Sequence, residues 1–148
     1  MRGYVGAMGV YSALVGAAAV AARLLGKHAP ARTTPWDVVL LGVATQKLSR
    51  LLARDPVTSP LRAPFVKYEG TAAPGEVSEQ VREHGDVKHA VGELSSCPFC
   101  MAQWVATGFV TGTVLAPRAT RLAATTFAAI AVSDTLQLAY AALENAAQ

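Results

Sequence analysis

Cysteine is nearly absent from this chain. The two that occur, Cys97 and Cys100, cannot build the disulfide framework on which many small secreted domains rely. Charge is scarce too: 16% of the 148 residues are Asp, Glu, Lys or Arg, against about a quarter in an ordinary soluble domain. Aromatic residues are only 7%, so the 52% hydrophobic content rests on Ala, Val and Leu, with Gly and Thr interleaved. That mixture suits helices that pack closely in lipid, where small residues form the contacts. The formal net charge is +3, and no run of Lys and Arg interleaved with aromatics occurs. Nucleic-acid binding therefore has no footprint here.

What is present is a series of long uncharged stretches. Gly3 to Ala22 runs 20 residues without a charge, and about 20 apolar residues span a bilayer as a helix. Gly9, Ala13, Ala17 and Ala21 lie four apart and form a small-residue ridge that a neighbouring helix can approach. The thin positive start at Arg2 and the small residues Ala29 to Ala31 also suit a signal peptide. The run exceeds the usual h-region of roughly 7–15 residues, so a retained helix is expected. The second segment, Trp36 to Leu52, has a short uncharged core from Val38 to Gln46. Lys47, Arg50 and Arg54 follow at helical spacing and share a face, from which long cationic side chains can reach the headgroups. A half-inserted amphipathic helix is the alternative.

Residues 55–93 differ in kind. Pro56, Pro60, Pro64 and Pro74 punctuate them, and seven acidic residues stand against four basic ones. This stretch reads as an aqueous loop on the membrane surface, with Val77 and Val81 on one side of a short amphipathic turn. Leu94 to Pro117 is then uncharged over 24 residues and contains Gly108-x-x-x-Gly112, a helix-packing signature. A tight turn at Ala116 to Arg121 leads into Leu122 to Leu143, interrupted only by Asp134.

These runs predict an all-α integral membrane bundle in one domain over 1–148. Four transmembrane helices are expected at about 4–25, 36–52, 97–116 and 120–143, with a polar surface loop at 53–93 between the second and third. Both termini and that loop then share one side. The cations beside the second helix assign that side to the cytoplasm of a bacterial inner membrane.

Three sets of residues can carry chemistry. Cys97-Pro98-Phe99-Cys100 opens the third helix, with Pro98 suited to its first position and Cys97 or Ser96 to its N-cap. A thiol there feels the positive end of the dipole and ionises more readily. The motif is similar to the redox motif of glutaredoxin-type proteins, which implies Cys97 as nucleophile and Cys100 as resolving thiol. A quinone-coupled relay needs a second cysteine pair, which this sequence does not contain. His84 and His89 upstream could complete a zinc site with Cys97 and Cys100, although a spacing of five does not keep two histidines on one helix face. Asp134 is the acid inside the fourth segment, with Lys47 and Arg50 its natural partners and Gln46, Gln103 and Gln137 as further members of a polar cluster. A structural interhelical pair is the favoured reading of that cluster over an ion path. No cofactor is expected, with zinc at the Cys and His set the alternative.

Three stretches together, "ATQKLSRLLARD" (Ala44 to Asp55), "LRAPF" (Leu61 to Phe65) and "CPFCMAQW" (Cys97 to Trp104), resemble a family of small bacterial membrane proteins known as domain of unknown function 1360. The resemblance covers roughly residues 36 to 143. C-P-x-C-x-x-x-W is its most specific element, and the family's basic-then-acidic segment maps onto Arg50, Leu51 and Asp55. Some members are linked to sporulation, and the resemblance implies no established activity. The leading expectation is a structural or interaction protein, a membrane anchor or accessory subunit that meets a protein partner through 53–93. Homo-oligomerisation is a further option. A membrane thiol–disulfide oxidoreductase and a zinc-stabilised membrane module are the alternatives.

Overall fold

A computed structural model describes residues 2–30, 32–82 and 85–147. The described residues form α1 (Arg2–Leu24), α2 (Pro35–Arg54), a 3-10 turn (Pro56–Thr58) and α3 (Ser59–Arg62). They continue through β1 (Val66–Ala73), β2 (Glu76–Val81), α4 (Asp86–Ser96), α5 (Pro98–Leu115) and α6 (Pro117–Ala146). The architecture is mostly helical, with one small antiparallel hairpin.

Local chemistry sets the boundaries. Gly26 adopts φ +60 after α1, and the Lys27 N–H reaches back to the Ala22 carbonyl at 2.8 Å, a left-handed helix stop that glycine makes without steric cost. At the start of α2, the Thr34 hydroxyl accepts the Asp37 N–H at 3.2 Å and the Asp37 carboxylate accepts the Thr34 N–H at 3.0 Å, a reciprocal capping box. Pro74 and Gly75 turn the hairpin, with Gly75 at φ +75.

The core is a three-helix seam. Ala44 of α2, Val105 and Phe109 of α5 and Ala124 of α6 are buried together, with Leu40, Leu41, Leu48, Leu52 and Phe127 packed around them. Asp37 pairs with Arg121 at 3.8 Å and Lys47 with Asp134 at 2.6 Å, so α2 and α6 run in the same direction. The turn from α5 to α6 is a single residue, Ala116. Gly112 lets the two helices close there, because a Cβ on it would strike the Thr120 side chain. Its partner in the G-x-x-x-G pattern, Gly108, has open space beside it.

α1 leans on α4 and α5. Gly3 lies against the backbone of Asp86 and the side chain of Ala90, and Tyr4 donates to Glu93. Tyr11 shares a 2.7 Å hydrogen bond with the Thr107 hydroxyl, accepts from Gln103 at 3.0 Å and meets the Trp104 ring edge-on at 5.1 Å. The docking stripe is therefore Gly3, Ala7 and Tyr11. The expected ridge does not face the bundle: Gly9, Ala13 and Ala17 are exposed.

The expectation of a wholly helical chain with a surface loop at 53–93 is corrected here. That stretch holds the 3-10 turn, α3, the hairpin and α4. Val77 and Val81 do share a side, but as alternate residues of a strand, since a separation of four is even and fits a period of two as well as a helical turn. The uncharged run from Leu94 is also divided. Pro98 disfavours helical backbone at the residue before it, and Cys97 is extended at φ −101, ψ 109, which ends α4 and starts α5.

Among the described residues, two helices are long and apolar enough to cross a membrane, α1 and α6. α5 is free of charge over 18 residues but is diluted by Gln103, Gly108, Gly112 and three threonines, and α2 carries Asp37, Lys47, Arg50 and Arg54 within its 20.

Candidate functional site

The polar groups gather at one end of the bundle, where α2 ends, the hairpin folds back and α6 continues. Lys47, Arg50 and Arg54 recur on α2 at steps of three and four and point toward that end. Lys47 Nζ lies 2.6 Å from Asp134 Oδ2. Arg50 does not join them. Its guanidinium donates to Glu76, the first residue of β2. Gln46 and Gln137 line the same space, whereas Gln103 is drawn to Tyr11 on the other side of the bundle. The result is a cleft of about 790 Å³ between α2, the hairpin turn and α6.

A second assembly lies just beyond the cleft, and sequence reasoning missed it. The side chains of Arg62 and Glu79 are each 3% exposed and pair at 2.7 Å through Arg62 Nε. Arg62 also donates to the Leu52 carbonyl at 2.5 Å, the Thr58 hydroxyl at 2.6 Å and the Asp55 carbonyl at 3.2 Å. Ser59 donates to the other oxygen of Glu79 at 2.5 Å. One side chain thus satisfies the end of α2, where carbonyls lack intrahelical partners, and ties it to α3 and β2. Arg62 sits in the "LRAPF" stretch, and a basic residue among prolines just after a helix was the available signal.

Cys97 and Cys100 are free thiols, both half-buried. Cys97 caps α5, and its Sγ accepts the Cys100 N–H at 3.4 Å. An N–H of a helix first turn aimed at sulfur favours the thiolate. Phe99, between them, is 90% exposed. His89 lies in α4 with its Nε2 3.2 Å from Glu93 Oε1. His84, the other histidine of the zinc expectation, lies outside the described residues. Among the described residues no group of three or more His, Cys, Asp or Glu side chains is placed to hold a metal ion.

No solved structure matches the chain. Sporulation protein YjcA of Bacillus subtilis (strain 168) is 37% identical over 75 residues, which cover 49% of this chain and 63% of that protein. The chain thus spans less than two thirds of the length of that curated relative. The stretches around α2, α3 and the Cys97 corner all fall within residues 40–140, which match the family described as "Protein of unknown function (DUF1360)", and the chain belongs to that family.

Proposed function

We propose that this chain is a four-helix integral membrane protein that serves as an anchor and docking module, with residues 55–96 as its partner-binding cap. In this reading α1, α2, α5 and α6 cross a bacterial inner membrane. The termini and the cap lie together on the cytoplasmic side. The observation that carries the reading is where the apolar residues sit. A soluble protein buries its most apolar helices, but in α1 and α6 almost none of the apolar stretch is buried. Val5, Leu14 and Leu24 on α1 and Leu122, Leu136 and Leu143 on α6 all stand outward. Lipid is the solvent in which such faces are stable. The charged groups of the cleft and cap collect at one end instead.

The cap supports a binding role because it is folded, held by a buried ion pair, and still exposes Val57, Leu61, Tyr68 and Val87. Exposed apolar side chains on a rigid scaffold suit contact with a protein surface. Similarity to a protein named for sporulation extends the proposal to a partner that acts in sporulation or a related developmental programme.

Alkaline extraction of membranes and reporter fusions test this reading. The protein should stay in the extracted pellet, and reporters at Gln148 and at the Pro74–Gly75 turn should both read cytoplasmic. Release into the supernatant, or opposite readings at the two sites, would refute it. A photo-crosslinker at Tyr68 should capture a discrete protein that the same group at Leu14 does not.

A second reading, thiol–disulfide exchange, is favoured by the N-cap position of Cys97 and its hydrogen bond from the Cys100 backbone. Cys97 would attack a disulfide of a partner, and Cys100 would resolve the mixed disulfide.

A further inference from the structure

The cleft between α2, the hairpin turn and α6 has the size of a ligand site: about 790 Å³, where small-molecule pockets run to roughly 300–1,000 Å³. Its charge is arranged as two ion pairs on two walls. Lys47 and Asp134 join α2 to α6, and Arg50 and Glu76 join α2 to the hairpin. Neither pair is closed off. The Asp134 side chain is 44% exposed and that of Arg50 48%. Each carboxylate meets its cation through one oxygen, Asp134 through Oδ2 and Glu76 through Oε1. A guanidinium has five N–H donors and an ammonium three. Donors and lone pairs therefore remain on both walls.

This arrangement selects by charge pattern. A simple anion would gain two cations but face three carboxylates, since Asp55 also lines the cleft with its Oδ1 accepting the Val57 N–H, and a simple cation would meet Lys47 and Arg50. A ligand with a negative and a positive group a few ångströms apart can satisfy both walls at once. Leu51, Ala131 and Leu138 give the lining an apolar side. Leu138 on that side is itself 57% exposed, so the apolar side is open to the bilayer in the membrane reading.

We infer that the cleft holds the phosphoethanolamine head of a bilayer lipid. The phosphate faces Lys47 and Arg50, the ammonium faces Asp134 and Glu76, and the acyl chains run along α6. The inference rests on the membrane reading above and deepens it by naming a ligand. A choline head has no N–H to donate to the two carboxylates. A glycerol head has no cation to offer them.

The test uses the full chain in detergent, exchanged with vesicles of phosphatidylcholine that contain equal amounts of phosphatidylethanolamine and phosphatidylglycerol. Retained lipid is counted by native mass spectrometry. Phosphatidylethanolamine should be retained over each of the others by about tenfold or more, as expected for two charge pairs made at once. Two variants separate occupancy from fold. Ala141→Trp fills the cleft from an exposed position of α6 outside the core, and it should abolish the preference at an unchanged unfolding temperature. Asp134→Asn should weaken phosphatidylethanolamine retention and leave phosphatidylglycerol retention where it was. Equal retention of the three lipids by the native chain, or a preference that survives Ala141→Trp, would overturn the inference. Water-soluble glycerophosphoethanolamine should compete only weakly. Displacement of the lipid at equal concentration would overturn the lipid assignment in favour of a soluble phosphodiester. Loss of the protein from extracted membranes would sink the membrane reading itself, whereas membrane retention without lipid preference sinks only this inference.

Discussion

Arg62→Met tests whether the segment after α2 is a folded cap or a loop laid on the membrane. Arg62 serves four acceptors between 2.5 and 3.2 Å, two of them carbonyls at the end of α2 and one the carboxylate of Glu79. Methionine keeps an unbranched apolar stem and removes every donor. The Glu79 carboxylate, on a side chain 3% exposed in the native fold, is then left with Ser59 as its remaining side-chain donor. Removal of one member of a buried pair costs about 3–5 kcal/mol, chiefly because the remaining charge is stranded without solvent. At 1.4 kcal/mol per factor of ten, a cost of about 4 kcal/mol raises the open population of the cap roughly a thousandfold.

The loss should be local. The seam of Ala44, Val105, Phe109 and Ala124 contains none of the groups that Arg62 serves. Amide hydrogen exchange on detergent-solubilised protein resolves the difference, since it reports opening segment by segment. Peptides from α3, β1 and β2 should lose protection by about three orders of magnitude, while peptides from the middle of α2 and α5 keep theirs. Arg62→Met combined with Glu79→Met removes both charges and should regain most of the protection. A change of less than about tenfold in the single variant, or a double variant as damaged as the two singles together, would refute the claim that this pair holds the cap.

Asp134→Ala should lower stability in detergent by about 1 kcal/mol, a modest loss because the pair is part-exposed, and Lys47→Ala added to it should recover part of that loss. Arg50→Ala should be additive with Asp134→Ala, since Arg50 pairs with Glu76, and a thermal-shift cycle on the four proteins checks both statements. Cys97 should alkylate faster than Cys100 at neutral pH, because its sulfur caps α5, and mass spectrometry of partly labelled protein reads the order. Cys97→Ser with Cys100→Ser should leave expression and fold nearly intact, and collapse of that double variant would count against the thiols as free groups at the helix start.

The helices were legible because a helix closes its hydrogen bonds locally, so length, uncharged runs and proline positions suffice to place one. Pro35, Pro98 and Pro117 each stand at a first helical position, but the tight turn expected over Ala116 to Arg121 is the single residue Ala116, because proline at a first helical position lets α6 begin at once. Partners beyond one helix are a different matter. Lys47 and Arg50 lie three apart on one face, so a common partner was the natural expectation for both. Asp134 takes Lys47, but the hairpin returns Glu76, 26 residues along the chain from Arg50, to the same end of the bundle. Nothing near Arg50 in sequence signals that return. It depends on the β1–β2 register, which sets Tyr68 opposite Glu79, and Glu79 is anchored in turn by Arg62, 17 residues away from it. The hairpin was hidden for a related reason. "VKYEGTAAPGEVSEQV" is rich in small and charged residues, its β1 exposes almost every position, and so it lacks the alternation that announces a strand. Such a hairpin buries little apolar surface of its own beyond Val66 and Val77. It is held by Arg62 at one end, by Arg50 at the other, and by Gly92 of α4, which sits against Val81 and the Phe65 carbonyl. The part of the chain hardest to read from sequence is therefore the part whose position rests on long-range charge pairs, and that is the part on which the cleft depends.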